Sequence, residues 1–142
     1  GYATRPNSDS EGAMAAYQEA LDLRVEVFGD AHADVADVLY RIGDVHKSQG
    51  QFRKAEASYQ KGLSAVGRSA STDIGRLVLA TCHSRLAHLK FELKKFEAAE
   101  EHAQKGLRDR SKFKELNPGE HEMLLEIRSE IRSAIDNRTD GN

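Results

Sequence analysis

One spaced pattern recurs three times along this chain and constrains its fold more than any other feature. A small residue is followed four positions later by tyrosine or alanine. A small residue and a leucine follow three and four positions after that. The three copies begin at Ala13, Ala55 and Ala99, so they lie 42 and 44 residues apart. Such a period is typical of a chain built from stacked, similar structural units.

The unit at residues 34–66 predicts two amphipathic helices joined by a tight turn. Apolar residues recur at helical spacing in both halves. They are Val35, Val38, Leu39, Ile42 and Val45 in the first half, and Phe52, Ala55, Tyr59, Leu63 and Val66 in the second. Gly50 ends the first helix, because glycine tolerates the left-handed backbone of a helix stop. Gly43 and Gly62 fall where the two helices must approach closely.

The same pattern divides the rest of the chain. We expect a flexible segment at 1–10, a half repeat at 11–28, full repeats at 34–66 and 73–110, a closing helix at 120–137 and a flexible tail at 138–142. The expected helix caps are Ser8 or Ser10, then Asp34 or Asp30, then Ser71 or Thr72. Because the half repeat lacks its first helix and the chain begins with Gly1 rather than methionine, we expect a segment of a longer protein.

Composition narrows the classes of partner. The net charge of -2 in 142 residues argues against nucleic acid. No apolar run approaches the roughly 20 residues that span a bilayer, so we expect no membrane insertion. The single cysteine, Cys82, excludes an intrachain disulfide and suits a reducing compartment. We therefore expect a cytoplasmic protein.

Catalytic and metal-binding patterns are absent from the sequence. The segment 121–125 begins like the zinc-protease motif HExxH, but its fifth residue is Leu125. Cys82 and His83 are adjacent, so on a helix they point about 100° apart and converge poorly. No two histidines lie four positions apart, and there is no P-loop or GxGxxG. We predict no enzyme activity, no metal site and no cofactor.

The order Leu39-x2-Ile42-Gly43-x2-His46, followed by Gly50-x-Phe52-x2-Ala55-x3-Tyr59, resembles the tetratricopeptide repeat. The resemblance implies an all-α, right-handed solenoid of antiparallel helix pairs, with about six helices and a C-terminal capping helix. It also implies a protein-binding role. Leu39 and His46 replace usual aromatic residues, and Lys94 replaces the turn glycine in the second repeat.

Residues 20–63 also resemble the repeats of kinesin light chains, through AL-x-L-R-x3-F-G-D-x-H-x-D-V-A. This resemblance implies a cytoskeletal or motor-associated parent. Ala33 stands where those repeats usually carry proline. Kinesin light chains also place asparagine where Tyr40, Arg41, Ser84 and Arg85 stand, so their clamp on a peptide backbone is not carried over.

The first helix of each pair should line a concave groove, which predicts the binding residues. They are Tyr40, Arg41, Asp44, Lys47, Arg85, His88 and Phe91. Arg41 and Arg85 share one repeat position, and both could bind a carboxylate of an acidic peptide. Tyr40 and Phe91 could offer apolar pockets. The alternative is that these are solvated side chains, or that they pair with Asp44 and Glu92.

We predict a scaffold or adaptor that binds a peptide or partner protein in this groove. One alternative is self-association with another copy of the chain, through Ala13, Tyr17 and Leu21 on a half repeat that lacks its partner helix. Another is that the segment is the regulatory tetratricopeptide repeat domain of a larger enzyme.

Overall fold

A computed structural model describes residues 6–113, 115 and 118–140 of the chain. Six α-helices fill this part: α1 (Pro6–Phe28), α2 (Ala33–Ser48), α3 (Phe52–Ala65), α4 (Asp73–Glu92), α5 (Phe96–Arg110) and α6 (Pro118–Asp140). Short 3₁₀ turns span Gly67–Ser71 and Ser111–Phe113, and the described residues contain no strand. The prediction of an all-α fold with six helices is confirmed. The chain divides after Ala70 into two compact units, unit 1 and unit 2.

The first and last helices are longer than the spacing predicts. Helix α1 begins at Pro6 rather than near residue 11, and α6 spans Pro118–Asp140 rather than 120–137. A proline suits the first turn of a helix, since its fixed backbone angle is already helical. Positions 8 and 10, expected to cap α1, therefore lie inside it. Residues 1–5 of the predicted flexible segment and 141–142 of the predicted tail lie outside the described part.

The structure corrects the predicted N-cap of α2 and confirms the predicted N-cap of α4. His32 caps α2: its Nδ1 accepts a hydrogen bond from the Asp34 backbone N–H at 3.0 Å, so the expected Asp34 and Asp30 caps were wrong. The His32 ring also stacks on Phe28 at 4.4 Å between centroids, which fixes the imidazole between α1 and α2. Thr72 caps α4 as predicted, accepting from the Gly75 N–H at 2.9 Å.

In unit 1, α2 and α3 form a helical hairpin around one close contact. A Cβ added to Gly43 would lie 2.5 Å from Cε1 of Tyr59, so only glycine admits the ring. Tyr59 is fully buried, and its hydroxyl donates to Asp44 Oδ1 at 2.6 Å. Helix α1 packs on α2, and Arg24 of α1 donates to the Asp34 carbonyl oxygen at 2.7 Å.

In unit 2, α4 and α5 form a second hairpin, and α6 packs mainly on α5. One core cluster combines small residues from the hairpin with large aliphatic residues from α6. These are Ala87, Ala99, Ala103, Leu124, Ile127 and Ile131. Ala87 and Ala103 stand 44 positions after Gly43 and Tyr59. The close pair of the first hairpin is therefore replaced by two alanines in the second.

Both hairpin turns use a left-handed residue. Gly50 has φ 75° between α2 and α3, and Lys94 has φ 61° between α4 and α5. The replacement of glycine by Lys94 has therefore not changed the turn. A side chain in this conformation costs roughly 1–2 kcal/mol.

Candidate functional site

Four of the predicted binding residues lie on α2 in unit 1. Tyr40, Asp44 and Lys47 follow one another at helical spacing and are half-buried, while the neighbouring Arg41 is exposed. Helix α2 is held between α1 and α3, so its backbone provides a fixed support for these side chains. This part of α2 therefore presents the exposed Arg41 guanidinium beside the Tyr40 ring.

The surroundings of Arg41 favour its charged form. The guanidinium lies 5.2 Å from the centroid of the Tyr40 ring. Partial burial by itself would lower the pKa of Arg41, but Tyr40, the Asp37 carboxylate and Tyr17 together raise it. The contacts from Arg41 Nε and Nη2 to Asp37 are long, at 3.4 and 3.5 Å. Such an exposed pair, four residues apart on a helix, contributes little stability.

Asp37 has a second cationic partner. Arg24 Nη1 lies 3.2 Å from Asp37 Oδ2 and bridges α1 to α2. Sequence reasoning missed both Asp37 and Arg24. The spacing of Asp37 and Arg41 is a signal that could have identified that pair, whereas the contact to Arg24 depends on how α1 packs.

Asp44 has a structural contact in addition to its predicted role. Its carboxylate accepts the hydrogen bond from the buried Tyr59 hydroxyl. Removing that carboxylate would leave the hydroxyl without this acceptor, which is costly in a buried setting. Among the described contacts of Arg41, the carboxylate partner is Asp37 rather than Asp44.

The other three predicted residues lie on α4 in unit 2. Arg85 and His88 are half-buried and sit one turn apart. Phe91 packs against Phe96 with ring centroids 5.7 Å apart, at the edge of the unit 2 core. Much of the Phe91 ring therefore stabilises the hairpin. The seven residues lie in different units, four in unit 1 and three in unit 2, and their action as one groove stays a prediction.

A partly buried histidine pair in unit 2 was also missed by sequence reasoning. His83 Nδ1 and His102 Nδ1 lie 3.0 Å apart between α4 and α5. Burial, together with the positive charges of His102, Lys105 and Arg108, lowers the pKa of His83 to about 4. These two histidines are 19 positions apart on different helices, so no local spacing could have revealed the pair.

Within residues 6–113, 115 and 118–140, no three His, Cys, Asp or Glu side chains cluster as ligands of a metal ion. In the same part of the chain, no helix combines the length and the apolar character needed to cross a membrane.

Comparison with known proteins agrees with the helical hairpin of unit 1. Residues 4–66 match the family model described as tetratricopeptide repeat, which is less than half of the chain. The comparison with curated proteins found no match. The resemblance to kinesin light chains in particular stays a prediction. The match supports tetratricopeptide repeats within residues 4–66, and repeats of this family generally mediate protein–protein interaction.

Proposed function

We propose that this chain is a protein–protein interaction module, used as a scaffold or adaptor, and that it binds an acidic peptide through α2. The observation that carries the proposal is Arg41, an exposed guanidinium held beside the Tyr40 ring on a helix supported from two sides. Guanidinium groups bind carboxylates through paired, charge-assisted hydrogen bonds. An aromatic ring beside the charge adds an apolar contact for the same ligand.

A peptide carboxylate could replace Asp37 as the partner of Arg41 at a small cost in free energy. Its contacts to Asp37 are long and exposed, so little free energy is lost when they break. Asp37 would keep its contact to Arg24 and would not be left without a cation. A peptide carboxylate could therefore take over the Arg41 guanidinium.

The test is binding of acidic peptides from an array, followed by titration of the full chain. Arg41→Ala should weaken binding at least about tenfold, as expected for the loss of a charged hydrogen bond of roughly 1.5–3 kcal/mol. Arg53→Ala removes an exposed arginine from α3 and is the matched control, expected to bind like wild type. Arg85→Ala, measured separately, reports whether α4 contributes. Equal binding by wild type and Arg41→Ala would refute the role of α2.

A second function, self-association, is favoured by two exposed apolar side chains on α1. Leu23 and Val27 are 57% and 72% exposed, whereas Ala65, the α3 equivalent of Leu23, is 8% exposed. The residues first expected to be exposed, Ala13, Tyr17 and Leu21, are instead half-buried. Sedimentation velocity tests this function: Leu23→Ser/Val27→Ser should dissociate any dimer, and a monomer at high concentration would exclude it.

The cellular setting is part of the same proposal. The resemblance to kinesin light chains supports a cytoplasmic, cytoskeletal or motor-associated parent, and a regulatory role beside an enzyme domain is the alternative. Co-sedimentation of the full-length parent with microtubules distinguishes the two, since a purely regulatory domain gives no microtubule-dependent pelleting.

A further inference from the structure

Unit 1 contains an open cleft of about 720 Å³ that none of the predicted binding residues lines. Its walls are α1 and α3, and its floor is α2. Leu21 and Val25 line the α1 side, and Val35 and Leu39 line the floor. The cleft therefore presents apolar side chains from three segments in one concave surface, the usual character of a binding site.

The two walls carry opposite charges. Asp22 lines the cleft on α1, Glu26 follows one turn later, and Asp30 lines it just beyond the end of that helix. Lys61 lines the opposite wall on α3, and Lys54 lies two turns before it on the same face. All five side chains are exposed. Within the described residues, none of the five is engaged in an ion pair, so their charges remain available to a ligand.

The walls favour a helical ligand over an extended one. The backbone groups of α1, α2 and α3 are used within the helices, so the cleft has no strand edge to pair with a peptide main chain. Among the described lining residues, Gln60 is the one side-chain amide that could bond a peptide group. An extended peptide would bury unpaired N–H and C=O groups, whereas a helix satisfies its own.

We propose that this cleft binds an amphipathic helix of a partner protein. The helix presents an apolar stripe to the floor, basic residues to the α1 wall and acidic residues to the α3 wall. Turning such a helix end for end exchanges its two edges, so the oppositely charged walls also select its direction. The inference rests on the proposed function in that the ligand is a protein, but it concerns a surface separate from Arg41.

The probe is a synthetic amphipathic peptide about five helical turns long. It has a leucine stripe, lysines on one edge and glutamates on the other. Two comparison peptides carry lysine on both edges or glutamate on both edges. In fluorescence anisotropy with the full chain, the mixed peptide should bind about tenfold more tightly than either comparison peptide, since each of those places several like charges against one wall.

Charge reversal on the protein should change this preference. Lys61→Glu places a carboxylate in the α3 wall that cancels the charge of Lys54, so the mixed peptide should lose its advantage over the peptide with two lysine edges. Lys95→Glu changes an exposed lysine in unit 2 and is the matched control, which should keep the wild-type preference. Because both lysines are exposed, far-UV circular dichroism should show an unchanged fold. An unchanged preference in Lys61→Glu would overturn the proposal.

Steric blocking provides a second readout. Ser64 lines the cleft and is exposed, so Ser64→Trp should weaken binding of the mixed peptide at least about tenfold. Ser133→Trp, at an exposed site on α6, should leave binding of the mixed peptide unchanged. Failure of the mixed peptide to bind, or equal binding by both variants, overturns the proposal. So does a dimer of the chain that Ser64→Trp dissociates, because the occupant is then a second copy.

The same variants separate this proposal from the proposed function. Acidic-peptide binding that is lost in Arg41→Ala but kept in Ser64→Trp supports the α2 site, whatever the outcome for the cleft. Mixed-peptide binding that is lost in Ser64→Trp but kept in Arg41→Ala supports the cleft, whatever the outcome for α2.

Discussion

The contact between Gly43 and Tyr59 makes Gly43→Ala the most informative single substitution in unit 1. The new Cβ would meet Tyr59 Cε1 at 2.5 Å and Cδ1 at 2.7 Å, about 1 Å inside ordinary contact at 3.4–4 Å. The ring has little room to move, because Tyr59 is fully buried. Its hydroxyl is also held at 2.6 Å from Asp44.

The expected cost follows from three contributions. Overpacking of a filled core costs about 1–3 kcal/mol. Displacement of the ring also strains the hydrogen bond to Asp44, with a net value of about 0.5–1.5 kcal/mol. Alanine recovers about 1 kcal/mol through its higher helix propensity. We therefore expect Gly43→Ala to lower the free energy of unfolding by about 2 kcal/mol.

Urea unfolding followed by circular dichroism at the helix band measures this change. Gly12→Ala is the matched control: Gly12 lies within α1, and its added Cβ would meet nothing within 4 Å. That variant should gain about 0.5–1 kcal/mol. Gly43→Ala should lose most of its cost in a Tyr59→Ala background, which reproduces the alanine pair of the second hairpin. Stability equal to or above wild type, or an equal cost in both backgrounds, would refute the packing argument.

Three further predictions concern unit 2, each with an unfolding measurement. Lys94→Gly should raise the free energy of unfolding by about 1 kcal/mol, because it removes a left-handed side chain; destabilisation would show that Lys94 makes a compensating contact. Thr72→Ala should lower it by about 1 kcal/mol, since the α4 N-cap is lost, and Thr72→Ser should restore most of it. Because the pKa of His83 is lowered from 6.5 to about 4, the unfolded chain takes up that proton first, and stability falls as the pH drops through this interval. The full difference corresponds to about 3 kcal/mol, and solvent screening around this partly exposed ring reduces the expected loss to about 2 kcal/mol. His83→Gln should flatten that part of the profile, and an unchanged slope would assign it to other groups.

The α2–α3 hairpin could be predicted from the sequence because the sequence signals for it are local. Apolar spacing, Gly50 at the turn and Gly43 at the contact each act over a few residues, and the structure confirms each of them. The α2 cap could not be predicted in this way. Histidine is an uncommon cap, and its ring is positioned by stacking on Phe28 of the preceding helix.

The exposed face of α1 shows the limit of spacing arguments. The repeat pattern indicates which residues could be buried. Packing against the neighbouring helices determines which of them are buried. Leu21 lines the cleft, whereas Leu23, which corresponds to the buried Ala65 of α3, is left exposed. For the same reason, the exposure of Arg41 could be expected from its place on α2, but its indirect link to Arg24 could not.

The different residue pairs at the centres of the two hairpins determine which parts of the chain could be exchanged. If α4 were joined to α3, Ala87 would face the position of the Tyr59 ring, where even one methyl group does not fit. If α2 were joined to α5, Gly43 would face Ala103 and leave a void. Single helices are therefore not interchangeable between the repeats, although their sequence patterns align. A recombined or shortened array should be assembled from whole hairpins, with each glycine kept beside its own tyrosine.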